Sequence, residues 1–202
     1  MRSTAEEYES GRYSFADRSR LEILKDRMYH HRVLRLNYTT YNLRRSQDVI
    51  NPRTHSDIML CSDTGEDHDA EGASSSAARG HPFVYARVIK IFHINIKLHD
   101  SEMEDFERMD ILFVRWFRID TAAPGGFLAK RLHRLEFARD SPEQPAFGFV
   151  DPADVIRGSH VIPAFAHGLT SELLGPSIAR DIVGKLEDGD ADKDYRYHYV
   201  NL

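Results

Sequence analysis

Hydrophobic and polar positions alternate most regularly between residues 83 and 98. From position 92 to position 98, every even-numbered residue is Phe, Ile or Leu, and every odd-numbered residue is His, Asn or Lys. An alternation of period two is typical of a β-strand that buries one face. We therefore predict one long strand over Phe83–Leu98, and it is the strongest element in the chain.

Shorter runs rich in β-branched and aromatic residues predict further strands, separated by turns that contain Gly, Pro, Asn or Asp. They lie at Val33–Tyr41, Asp57–Cys61, Ile111–Phe117, Arg131–Phe137, Phe147–Val150, Val155–Arg157 and Ser159–Pro163, and a last one begins at Tyr195–Val200. The segment Ser101–Asp110 between two of them is acidic and predicts a turn. Many short strands at such intervals are typical of a small antiparallel barrel or sandwich.

Two segments have helical rather than strand spacing. Within Ala16–Met28, Leu21, Leu24 and Met28 fall on one helical stripe, and Ser171–Arg180 is a second, shorter candidate. The predicted fold is therefore mainly β: a small antiparallel β-barrel with an N-terminal helix and a short C-terminal helix.

Composition along the chain divides it into a domain and polar segments. Residues 1–16 are polar and residues 62–80 contain no large apolar side chain, so we expect both segments to be disordered. The β-barrel domain is then predicted over residues 17–170, with 62–80 as an insertion. Residues 171–202 are expected to form a helical and acidic C-terminal segment.

The bulk chemistry predicts an intracellular protein. A single cysteine, Cys61, allows no intramolecular disulfide, and the polar N-terminus lacks the apolar core of a signal peptide. No run approaches the roughly 18 apolar residues of a membrane span, so no membrane partner is expected. The net charge of −5, from 27 basic and 32 acidic residues, argues against a uniformly basic nucleic-acid-binding protein.

The charge is nevertheless uneven. The stretch Lys25–Arg53 holds seven basic residues and two acidic ones. A basic face on an acidic protein is therefore expected, and any contact with nucleic acid would be local. The residues predicted to contact nucleic acid or an acidic partner are Arg32, Arg35, Arg44, Arg45 and Arg53.

No motif predicts catalysis, a metal site or a cofactor. His30 and His31 are adjacent and would point to opposite faces of a strand, while His93 and His99 would lie about 20 Å apart along a straight one. Neither pair is a ligand set, and Cys61 is expected to be structural. The 32 acidic residues show no spacing that selects a catalytic trio.

Two aromatic residues in the strongest predicted strands allow two interpretations. Tyr85 and Trp116 are expected in the core, or alternatively at a barrel mouth, where aromatic rings hold a methylated lysine by cation–π attraction. Basic residues surround this region of the sequence and would pair with phosphates or face solvent. They are Arg87, Arg115, Arg118, Lys130, Arg131 and Arg134.

Several segments, in order, resemble uncharacterised proteins of basidiomycete fungi that are associated with Plavaka-type DNA transposons. The resemblance spans roughly residues 30–200 and is carried by Leu36–Tyr41, Asn51–His55, His81–Val88, Val114–Phe117, Arg131–Arg134, Phe147–Pro152 and Val161–Phe165. It implies a mobile-element origin and no known activity. Members of that family continue past the position of Leu202, so we expect this chain to be a truncated or decayed copy.

A second resemblance concerns the order of the strands. Tyr85–Phe92, Val114–Arg118, Leu135–Phe137 and Asp154–Ile156 follow one another as in the bromo-adjacent homology domain, a β-barrel module of chromatin proteins. In members that bind methyl-lysine, aromatic residues and an acid form a cage. The resemblance implies a cage of Tyr85, Trp116, Asp120 and Phe137, with Phe147 as a further aromatic candidate.

The sequence thus predicts a non-enzymatic, nuclear interaction module of transposon origin, which binds chromatin or a partner in a transposition complex. Two alternatives remain open at this stage. One is a remnant of a metal-dependent DNA transposase, which would need several carboxylates around Mg²⁺. The other is a degenerate reading frame without a selected function.

Overall fold

The computed structural model describes residues 20–40, 44–62, 81–98, 105–123, 125–141, 145–174 and 193–201. Strands make up 64% of the structure, and the predicted mainly β class is confirmed. The strands are β1 (Leu21–His31), β2 (Leu34–Thr39), β3 (Arg45–Ile50), β4 (Asp57–Cys61), β5 (Phe83–Leu98), β6 (Glu107–Ile119), β7 (His133–Phe137), β8 (Phe147–Val150), β9 (Val155–Gly158), β10 (His160–Pro163), β11 (Leu169–Thr170), β12 (Asp194–Tyr195) and β13 (His198–Asn201). Single 3₁₀ turns occupy Pro152–Asp154 and Phe165–His167.

Two long strands, β5 and β6, organise the main sheet. They pair with each other in antiparallel register, and each has two shorter strands along its other edge. β4 pairs with the first half of β5 and β1 with its second half, while β8 and β7 pair with successive parts of β6. One extra residue in β5, between Val88 and Lys90, forms a bulge that separates the two halves.

The predicted closed barrel is not found. Hydrogen bonds link the strands in the order β10-β13-β7-β6-β5-β4-β9, and the ends of this path do not pair with each other. The end strands β9 and β10 are nevertheless consecutive in the chain, joined at Ser159, whose N–H donates to the carbonyl of Asp57. The two ends of the strand order are therefore close together, but the covalent chain connects them and no ladder of hydrogen bonds does.

The core consists of two clusters on opposite faces of the sheet. Along β4, Ile58 and Leu60 belong to one cluster, and Met59 belongs to the other. The first cluster is aliphatic and is covered by the β2–β3 hairpin, which contributes Leu34, Leu36 and Ile50. The second is aromatic and includes Tyr85, Phe117 and Phe137.

The predicted N-terminal helix is wrong where the structure describes it. Residues 16–19 lie outside the described residues, and Leu21–His31 is the strand β1, paired with β5. Its register shifts between Ile23 and Met28, and Lys25 and Asp26 within that shift have positive φ values of 57° and 50°. The three extra residues of β1 break the period-two pattern, which is why the hydrophobic spacing here looked helical.

The remaining segment predictions have mixed outcomes. Residues 171–173 of the predicted C-terminal helix form bends, and its continuation over residues 175–180 lies outside the described residues. Residues 101–104 of the acidic turn predicted at 101–110 are also outside them, but Glu107–Asp110 belongs to β6. The segments 1–16 and 62–80, predicted to be disordered, are likewise outside the described residues except for Ser62, whose N–H donates to the carbonyl of Pro82.

Candidate functional site

The four residues of the predicted aromatic cage are not brought together. Tyr85 and Phe137 are 1% and 3% exposed and belong to the aromatic cluster, whereas Trp116 packs against the aliphatic cluster. The register explains the separation: Trp116 pairs with Ala86, the neighbour of Tyr85, so its side chain points to the opposite face of the sheet. Tyr85 and Phe137 are core residues in this fold.

Asp120, the predicted acid of the cage, has an internal partner. Its Oδ2 accepts a hydrogen bond from Arg134 Nε at 2.7 Å, and its Oδ1 accepts one from the N–H of Ala122 at 2.9 Å. The pair connects the end of β6 to β7, and both side chains are less than one-fifth exposed. The carboxylate therefore fixes the turn after β6 instead of facing a ligand.

Most of the arginines predicted around the cage are also paired internally. Arg87 binds Asp57, Arg115 binds Asp194 and Arg118 binds Glu136, in addition to the Arg134–Asp120 pair. The exceptions are Lys130 and Arg131, which are exposed in the turn before β7. This set of cations consequently contributes little free positive charge to the surface.

The arginines predicted to contact a partner have the opposite environment. All five side chains are exposed, and none forms an ion pair with another residue in the part of the chain that the structure describes. We call them the arginine surface: Arg32, Arg35, Arg44, Arg45 and Arg53. Unpaired and hydrated guanidinium groups are free to bind carboxylates or phosphates bidentately.

The β2–β3 hairpin sets the positions of these arginines. Its register pairs Thr39 with Arg45 and Arg35 with Val49, so alternate residues of both strands share one exposed face. Arg35 and Arg45 point from that face, four residues apart along the ladder, which is about 13 Å at the usual strand rise. Arg44 lies at one end of the hairpin, and Arg32 and Arg53 flank the other end.

The inner face of the hairpin anchors it to the sheet. Asp48 accepts hydrogen bonds from the Tyr38 hydroxyl at 3.2 Å and from the N–H of Gly158 at 2.9 Å. The guanidinium group of Arg157 in β9 lies 5.3 Å from the centre of the Tyr38 ring and 3.8 Å from Asp48. Asp48 is the only acid of the hairpin. Because its carboxylate is bonded on the inner face, it does not neutralise the arginines of the outer face.

Charge is distributed unevenly between the described residues and the rest of the chain. The described residues hold 21 Lys and Arg against 14 Asp and Glu, a formal net charge of +7. The other segments hold 6 basic and 18 acidic residues, which accounts for the net charge of −5 of the whole chain. The excess of acidic residues thus belongs to segments outside the described residues.

A cleft of ≈ 610 Å³ borders the arginine surface, between β3 and the end strands of the sheet. Its charged lining includes Asp57 and Arg157. Asp57 is paired with Arg87, and Arg157 lies near Asp48, so these charges are compensated within the protein. The cleft offers no converging set of acids and bases.

A second polar cluster lies on the outer halves of β1, β5 and β6. His31 Nε2 and His93 Nδ1 are 2.7 Å apart, and these two residues and Asp110 offer ligand atoms that all lie within 4.8 Å of one another. The pKa of His93 is below its ordinary value because of partial desolvation and the nearby charges of Arg108 and His31, against which Asp110 acts. Sequence reasoning missed this set because its members belong to three different strands.

No trio of carboxylates converges in the described part of the chain. Among the described residues, only His31, His93 and Asp110 form a group of three or more His, Cys, Asp or Glu side chains close enough to share a metal ion, and this group has a single carboxylate. The described residues also contain no helix that is long and apolar enough to cross a membrane. Cys61 is a free, exposed thiol at the end of β4.

Comparisons of the chain with models of protein families, with curated proteins and with solved structures found no match.

Proposed function

We propose that this chain is a non-enzymatic interaction module that binds a polyanionic partner, chromatin DNA foremost, through the arginine surface. One observation carries the proposal: five exposed arginines with no acidic partner among the described residues surround one hairpin. In the main sheet, by contrast, arginines with structural roles are paired with acids at hydrogen-bonding distance. The lack of such pairing at the hairpin is what a surface kept for an external anion requires.

The exposed arginines support binding driven by phosphates. Five guanidinium groups around one hairpin attract a polyanion over distances of about one Debye length, roughly 8–10 Å at physiological salt. Arg35 and Arg45 lie on a flat ladder with the polar residues Asn37 and Gln47 between them, joined by a 2.8 Å hydrogen bond. Arginine and amide groups of this kind contact the nucleic-acid backbone and carry little sequence information. We therefore expect affinity that depends strongly on salt and weakly on sequence.

The proposal includes a mobile-element origin and a nuclear location. Both are supported by the resemblance to the transposon-associated fungal proteins, whose segments follow in order over roughly residues 30–200. One of these segments, Leu36–Tyr41, includes most of β2 and therefore part of the arginine surface's scaffold. A protein of this origin would meet DNA and chromatin as its ordinary surroundings.

The proposal is tested by the affinity of the full chain for a short DNA duplex and for reconstituted nucleosomes over a series of salt concentrations. The test variant carries Arg35→Gln and Arg45→Gln. The matched control carries Lys130→Gln and Arg131→Gln, which remove the same charge from an exposed turn elsewhere. If each hairpin arginine contacts one phosphate, the slope of log K against log salt becomes shallower by about 1.8 in the test variant.

The outcomes separate the surface from the overall charge. Loss of affinity in the hairpin variant with a near-normal control supports the arginine surface. Equal losses in both variants would mean that only the net charge of the body matters. If the unmodified chain binds neither DNA nor nucleosomes at low salt, the proposal is wrong. Binding to nucleosomes but not to DNA would mean that the ligand is an acidic protein surface and not the phosphate backbone of DNA.

A further inference from the structure

The outer halves of three strands bring two histidines and an aspartate together on one face of the main sheet. In the register of β5 with its neighbours, His93 pairs directly with Tyr29 of β1 and with Asp110 of β6. His31 lies two residues beyond Tyr29 on β1, so it is the diagonal neighbour of His93 on the same face. The arrangement follows from hydrogen-bonded strands and not from a loop, so its members have fixed positions.

The two imidazole rings meet edge to edge. Their planes differ by 20° and their centroids are 4.9 Å apart, while His31 Nε2 and His93 Nδ1 are separated by 2.7 Å. Because the two nitrogens are closer to each other than the ring centroids are, they lie on the facing edges of the two rings. Without a metal, one N–H donates to the other nitrogen. An ion can use both of these nitrogens once the proton of the donor has moved, through solvent, to the other nitrogen of the same ring, so that each imidazole stays neutral.

The third member is oriented by its neighbours. Arg108 Nε and Nη2 both donate to Oδ1 of Asp110, at 3.1 and 2.7 Å. No described residue bonds to Oδ2. The ring of Tyr29 lies parallel to that of His93, with centroids 4.8 Å apart. Such outer contacts, which fix the orientation of a carboxylate and an imidazole, are those that accompany metal ligands in known sites.

We propose that His31, His93 and Asp110 form a binding site for a divalent transition-metal ion, with Zn²⁺ as the best match. Two imidazole nitrogens and one carboxylate oxygen are borderline ligands that suit Zn²⁺ and disfavour Mg²⁺ and Ca²⁺, which prefer oxygen. Tetrahedral Zn²⁺ bonds of about 2.0–2.2 Å place ligand atoms roughly 3.3–3.6 Å apart. The two nitrogens must separate and the carboxylate must approach by side-chain rotation, which the partial exposure of all three residues allows.

Three protein ligands leave a fourth position of the metal open. The cluster lies at the surface, with half-buried histidines and an exposed aspartate, so water or a side chain from a partner can reach that position. The site would also connect β1 to β6 across β5, in the half of β5 that does not pair with β4. The inference is independent of the arginine surface, because it involves none of those residues.

The test is a titration of ZnCl₂ into the full 202-residue chain, purified without a histidine tag and freed of metal, followed by calorimetry. We expect one Zn²⁺ per chain, and we expect Mg²⁺ in large excess not to compete. His31→Ala and His93→Ala should each lower the affinity at least about tenfold. Loss of a residue that only orients a metal ligand already lowers metal affinity by about ten- to hundredfold. Asp110→Asn, at an exposed position, should lower it by a similar factor.

The matched control is His30→Ala. His30 is adjacent to His31 in β1, is exposed, and lies on the opposite face of the strand, with its ring 6.1 Å from that of Phe92. Its replacement should leave Zn²⁺ affinity unchanged. Circular dichroism checks the fold of each variant, and His31→Ala and Asp110→Asn suffice if the half-buried His93 cannot be replaced.

Two results would overturn the site. One is the absence of stoichiometric Zn²⁺ binding at micromolar protein. The other is binding that survives replacement of His31 and of Asp110, which would assign the metal to others among the 11 histidines. Substitution by Co²⁺ adds an independent readout, because the visible absorption of tetrahedral Co²⁺ should appear in the wild type and in His30→Ala and be lost in His31→Ala.

Discussion

The free energy of unfolding should fall as the pH is lowered, and replacement of the buried His198 should remove most of that fall. His198 is 1% exposed, and its ring packs edge-on against Phe117 and Phe137 in the aromatic cluster. Its Nδ1 has no hydrogen-bond partner among the described residues. The charged groups near it are the guanidinium groups of Arg87 and Arg115, each paired with an acid. Desolvation foremost, and then the two guanidinium charges, lower the pKa of His198 from 6.5 to about 3.

The sign and size of the effect follow from proton linkage. The unfolded chain binds a proton at this histidine below pH 6.5, and the folded chain does so only near pH 3. The neutral His198 side chain therefore contributes its full stabilisation above pH 6.5, and this contribution is lost progressively as the pH falls from 6.5 towards 3. Between pH 7 and pH 5, this one residue should lower the free energy of unfolding by about 2 kcal/mol, since each pKa unit corresponds to about 1.4 kcal/mol.

The measurement is urea unfolding of the wild type and of His198→Leu at pH 7 and at pH 5. The wild type should lose about 2 kcal/mol more than the variant, whose other histidines titrate equally and cancel in the difference. His55→Leu, at an exposed position, is the control and should follow the wild type. If the wild type and His198→Leu lose the same stability between the two pH values, His198 is not held neutral and the reasoning fails.

Two further predictions concern packing and buried charge. A Cβ atom at Gly148 would lie 2.6 Å from Nε1 of Trp116, whose ring is held by the aliphatic cluster, so Gly148→Ala should lower the free energy of unfolding by about 1–3 kcal/mol. A variant as stable as the wild type in urea would show that the indole can move away. Asp194→Ala leaves the guanidinium group of Arg115, which is 4% exposed, without its two 2.9 Å hydrogen bonds and should cost about 3–5 kcal/mol. Arg108→Ala, in the exposed pair with Asp110, is the matched comparison and should cost less than about 1 kcal/mol; equal losses would contradict the buried role.

The strands were predictable where large apolar residues alternate or form a short continuous run. Phe83–Leu98, Asp57–Cys61 and Phe147–Val150 are strands with the predicted bounds. In each of them, burial of apolar side chains outweighs local alternatives, on both faces in the case of Asp57–Cys61, so the hydrophobic pattern indicates the conformation. The strand β3, Arg45–Ile50, was missed because its sequence is polar except at its end. It forms because β2 offers a complete ladder of hydrogen bonds and Asp48 is bonded to β9.

Which residues meet in each candidate site depends on the register between neighbouring strands, and the sequence alone does not give that register. Tyr85 and Trp116 were assigned to one cage, but a shift of one residue between adjacent strands moves a side chain to the other face. In the structure that register places Trp116 opposite Ala86 and away from Tyr85. The same information brings His93 beside His31, which no spacing along the chain could indicate because 62 residues separate them.

The arginines of this protein fall into two groups, and the difference between them explains how an acidic chain presents a basic surface. Arginines on the inner strands, such as Arg87 and Arg115, each consume one carboxylate because a buried cation without a partner costs several kcal/mol. Hairpin arginines such as Arg35 face water, where no such cost compels pairing. At the surface pairing is optional: Arg108 and Arg118 are paired with acids there, whereas the hairpin arginines have no acidic partner among the described residues. Net charge averages over all of these groups, so the negative net charge of the whole chain is compatible with a locally basic face on the hairpin.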